Sequence, residues 1–124
     1  MKRLNIQVTT DNTGAATAYM PRTTGKVHSI TYLKDATNAY ADGVDFTITA
    51  ELTGESIWAE SNVNATAARY PRAPTHSQAG AAALYAAGGT GVLDKVAIAN
   101  DRIKIVVAQG GSAKVGRFIA LLDD

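Results

Sequence analysis

The sequence predicts an all-β chain folded as a single-domain β-sandwich over residues 1–124, with a jelly roll as one form such a chain can take. Three observations predict it. Apolar and polar residues alternate at period two in several short runs, turn residues separate those runs, and the stretch Asp101–Asp124 is apolar on both faces of its two arms. In that stretch Ile103, Ile105 and Val107 fall opposite Val106 and Ala108. Beyond a Gln109–Lys114 loop, Phe118, Ala120 and Leu122 fall opposite Ile119 and Leu121. It therefore reads as a β-hairpin that wants cover on two sides, either from a second sheet and loops or from a neighbouring chain.

From the start of the chain, Leu4, Ile6 and Val8 alternate with Arg3, Asn5, Gln7 and Thr9, and Asp11–Gly14 closes that strand with turn residues. Thr17–Met20 is a short strand stopped by Pro21. Gly25 opens another, with His28, Ile30 and Tyr32 facing away from Val27, Ser29, Thr31 and Leu33. Lys34–Gly43 reads as a loop with room for one helical turn. Val44, Phe46, Ile48, Ala50 and Leu52 then alternate cleanly with Asp45, Thr47, Thr49 and Glu51, and Thr53-Gly54 turns the chain into Ser56–Glu60. These two strands predict a hairpin with Trp58 near its packed side. From Ser61 to Gly91 the pattern changes to Asn, Ala, Thr, Pro and Gly. Within it the alanines of 78–87 favour one short helix, ended by Gly88-Gly89-Thr90-Gly91, or else an extended arm. Val92–Ala99 returns to strand character, and Asn100-Asp101 reads as a turn into the C-terminal hairpin.

The bulk numbers narrow the function classes. A 124-residue chain fits one domain that buries roughly two-thirds of its unfolded surface. Lys+Arg 12 against Asp+Glu 11 leaves the charge near zero, which argues against a nucleic-acid partner. With Cys 0, disulfides and thiolate metal sites are excluded, so stability comes from packing or association. No run approaches the ~20 apolar residues of a membrane span. The start alternates where a signal peptide needs a continuous apolar run.

No catalytic, cofactor or metal constellation emerges from the residues. His28 stands beside Ser29 in a strand, so the two point to opposite faces and make a poor nucleophile pair. His76 has no second ligand at a metal-like interval. The aspartates follow turn positions and lack the alternation of a calcium loop, and the glycine clusters at 88–91 and 110–111 lack the Lys-Ser/Thr of a phosphate loop. Asn64-Ala65-Thr66 fits a glycosylation acceptor that needs a secretion route to matter. Arg69-Tyr70-Pro71-Arg72 is the basic and aromatic run that suits a protein contact.

The strand at the first residues, the run Gly43-Val-Asp-Phe-Thr-Ile-Thr-Ala50 before a Thr-Gly turn and a Trp strand, and the ending Asn100-Asp-Arg-Ile-Lys-Ile-Val-Val-Ala-Gln-Gly-Gly111 followed by Gly116-Arg-Phe-Ile-Ala120 carry a resemblance. Over most of its length the chain resembles the small β-rich decoration, or minor capsid, proteins of tailed bacteriophages. The resemblance implies a virion structural protein, not an enzyme, made in the host cytoplasm and bound to the outer head surface. Its expected partner is the major capsid protein, and its expected state a homo-oligomer, a trimer above all, with no cofactor, nucleic acid or membrane involved. Repetition over a lattice would turn weak contacts into avidity. Arg69, Tyr70 and Arg72 are the expected anchors, with Ile119 and Leu121 as the expected contact between copies. The alternatives are a head-spike base, a tail component, or a carbohydrate-binding module using Trp58 and the tyrosines.

Overall fold

A computed structural model describes residues 1–124, with ten strands and no helix in two antiparallel sheets. The larger sheet runs β1 (Lys2–Thr9), β10 (Val115–Asp123), β3 (Thr23–Lys34), β8 (Leu93–Asp101) and β7 (Arg72–Pro74), with β6 (Ala67–Arg69) on the far end of β3. The smaller runs β2 (Ala16–Tyr19), β9 (Ile103–Ala108), β4 (Asp45–Ala50) and β5 (Ser56–Glu60). The pairings nest as in a jelly roll: β1 with β10, β2 with β9, β3 with β6 and β8, and β4 with β5, while β10 also borders β3 and β9 also borders β4.

That nesting corrects the expected C-terminal hairpin. β9 and β10 do not pair with each other but sit in opposite sheets, each flanked on both sides. Strands apolar on both faces suit those inner positions, because the facing sheet covers one side and flanking side chains half cover the other. Accordingly Ile103, Ile105, Val107, Phe118, Ala120 and Leu122 are fully buried, while Val106, Ile119 and Leu121 are half-buried. The 109–114 loop crosses between the sheets and locks onto the 11–15 turn. Thr10 donates its hydroxyl to the Gly111 carbonyl at 2.6 Å, and the Gly110 N–H donates to the Gly14 carbonyl at 2.9 Å. A side chain at Gly14 would meet the Gly111 nitrogen at 2.9 Å, so the close approach requires glycine there.

Two strand phases also differ from expectation. Ser29 pairs with Leu121 and Val27 with Leu122, so β3 has an extra residue at His28. This bulge turns Val27 inward beside Ile30 and Tyr32, all three buried. The β4 alternation stops at Ala50, and Leu52 in the following turn is 82% exposed. The β4–β5 hairpin forms as expected, with Ile48 opposite Trp58 and both buried.

One cluster of 21 buried apolar residues fills the space between the sheets. Phe46 is at its aromatic centre, with ring centroids of Tyr32 at 4.7 Å, Phe118 at 4.9 Å and Trp58 at 5.4 Å. Tyr40, from the irregular 35–44 loop, stacks on Tyr32 and donates its hydroxyl to the Val8 carbonyl at 2.6 Å. Burial pushes its phenol well above the ordinary value.

Candidate functional site

Trp58 and Glu60 are two residues apart on β5 and so share a face. Arg69 comes from β6 in the opposite sheet, on the inward-facing register of Ile30. Its guanidinium crosses the open side of the sandwich and grips Glu60 with two hydrogen bonds, Nε to Oε1 and Nη2 to Oε2, both 2.9 Å. The same guanidinium lies 5.4 Å from the Trp58 ring centroid, and Trp58 Nε1 donates to Glu60 Oε1 at 3.0 Å. The hydrogen bonds from Arg69, and then Trp58, hold the Glu60 carboxyl below its ordinary value. Arg69 is thus a brace between the sheets, with two hydrogen bonds to Glu60 and a third from Nη1 to the Ala68 carbonyl at 3.0 Å.

The other expected anchors divide. Tyr70, next in the chain, is 62% exposed and meets the His28 ring edge-on at a centroid distance of 5.9 Å. Arg72 is half-buried and turns back on the main chain, donating to the carbonyls of His28 at 3.2 Å and Pro71 at 2.7 Å. Of the three, Tyr70 alone presents most of its surface to solvent. His28 is half-buried, with a buried Nδ1 that meets no partner, and Ser29 is buried beside it. His76 lies exposed on a different element.

Ile119 and Leu121 stand on the outer face of the larger sheet, opposite Asn5 and Arg3 on one side and Thr31 and Ser29 on the other. Leu33, 37% exposed, and half-buried Val115 extend the row. Arg117 opposes Leu33, but its guanidinium leans over β1 to the side-chain oxygens of Asn5 at 3.0 Å and Gln7 at 3.1 Å. The row is apolar at Val115, Ile119 and Leu121, with exposed Arg117 within it and exposed Arg3 beside Leu121.

Between β7 and β8 the chain projects as a knob from Thr75 to Val92. Three backbone hydrogen bonds close a ring at its base: Thr75 N–H to the Val92 carbonyl, Val92 N–H to the Ala83 carbonyl, and Ala83 N–H to the Thr75 carbonyl, at 2.9, 2.9 and 3.0 Å. Two tight loops leave that ring, one closed by Ser77 N–H to Ala81 and the other by Tyr85 N–H to Thr90. Gly80 and Gly88 take the left-handed backbone, with φ of 84° and 70°. No helix forms at 78–87. The ring and loop bonds commit the N–H groups of Ala83 and Tyr85 and the carbonyls of Ala81 and Ala83 to partners outside a helix, and a ten-residue alanine helix with only Leu84 and Tyr85 to bury has little to hold it. Of the expected alternatives, the extended arm is nearer, folded upon itself.

Two shallow hollows remain. One of about 470 Å³ is lined by Glu60, Asn62, Asn64, Thr66 and Arg69 among others, and one of about 160 Å³ by Leu33, Asp35, Val115 and Arg117 among others. No three His, Asp or Glu side chains converge on a point. Trp58, Tyr32 and Tyr40 are buried, and Tyr19, Tyr70 and Tyr85 are on separate elements, so no aromatic platform for a sugar is assembled. No protein-family model, curated protein or solved structure matches the chain. Sequence reasoning missed Glu60 as the partner of Arg69, although the Trp-x-Glu spacing places both groups on one strand face.

Proposed function

We propose that this chain is a structural component of a tailed-phage virion that binds the outside of the head and stabilises the shell. The observation that carries the reading is the disposition of its side chains. Strong hydrogen-bonding groups such as Arg69, Glu60 and Arg102 are engaged within the fold, while the surface offers apolar contact area at Tyr70, along the outer row and on the knob. Such a surface suits binding to another protein more than turnover of a small molecule. The resemblance to decoration proteins supplies the partner, the major capsid protein, and the homo-oligomeric state, with the trimer favoured.

Electron microscopy of undecorated heads mixed with the purified protein tests this. Regular occupancy across the head lattice is expected, reduced in Tyr70→Ala with the melting temperature unchanged. Binding confined to one vertex or to the tail would transfer the assignment to a spike base or tail component, and bare heads would overturn it.

A further inference from the structure

We draw no further inference here: the strongest candidate, the knob from Thr75 to Val92 with no Asp, Glu, Lys or Arg and with Leu84 and Tyr85 exposed, is a surface patch for which nothing in the structure shows what covers it.

Discussion

Around the sandwich, charges meet in pairs: Arg69 with Glu60, Arg102 with Glu51, Lys95 with Asp123 and Lys26 with Asp94, while the knob between Thr75 and Val92 has no charge to pair. The sandwich is held by a core of buried side chains; the knob buries almost none and is held by backbone hydrogen bonds. Stability therefore resides in the body, and the knob's side chains add little burial to it.

The sharpest way to test that division is to injure each part and compare. Phe46→Ala empties the aromatic centre and should lower unfolding free energy by about 4 kcal/mol, read by urea denaturation. A loss below about 1 kcal/mol would mean that the core is not the source of stability.

Acid should come next and act on the body. Hydrogen bonds from Arg69 and Arg102 hold Glu60 and Glu51 below the ordinary carboxyl value of 4.5. The Thr13 hydroxyl, the Asn38 and Lys95 backbone N–H groups, and the Lys95 ammonium do the same for Asp11, Asp35, Asp94 and Asp123, below 3.8. As pH falls the unfolded chain takes up these protons before the folded one. Their stabilisation is therefore fully present above the ordinary values and is lost as pH drops through the depressed folded ones. The melting temperature should decline through that window. A flat profile down to pH about 3 would break the assignment.

Arg69→Ala should cost about 1 kcal/mol, because the pair is half exposed and screened even though it is bidentate. Arg69→Lys should recover only part of it, since an ammonium cannot reproduce both in-plane bonds. If urea midpoints show no change for either, the brace between the sheets contributes nothing. The smallest effect is expected at Tyr85→Ala, within about 0.5 kcal/mol of wild type. A larger loss in a dilute monomeric sample would place Tyr85 in the fold's own support and erase the contrast.

How much of this the sequence reveals depends on the range of each interaction. β1 and β4 were legible because period-two alternation is local, and Thr53-Gly54 after the second such run marks the turn into β5. Tyr70 stands exposed on the irregular segment where the sequence placed a candidate contact. Arg69 was legible as important but not as a brace, because Glu60 reaches it only once β5 and β6 are brought to the same side of the sandwich.

The sequence by itself determined that the chain is β-rich, that its apolar residues can fill a sandwich, and that 75–92 has no charge. Only the tertiary structure decided that β9 and β10 go to opposite sheets, that His28 bulges and turns Val27 inward, and that the alanine-rich segment closes a ring in place of a helix. The physical reason is that a two-faced apolar strand fits a hairpin and an inner sheet position equally well by its local pattern. The choice between them rests on which distant strands lie on either side, and those contacts exist only in the folded chain.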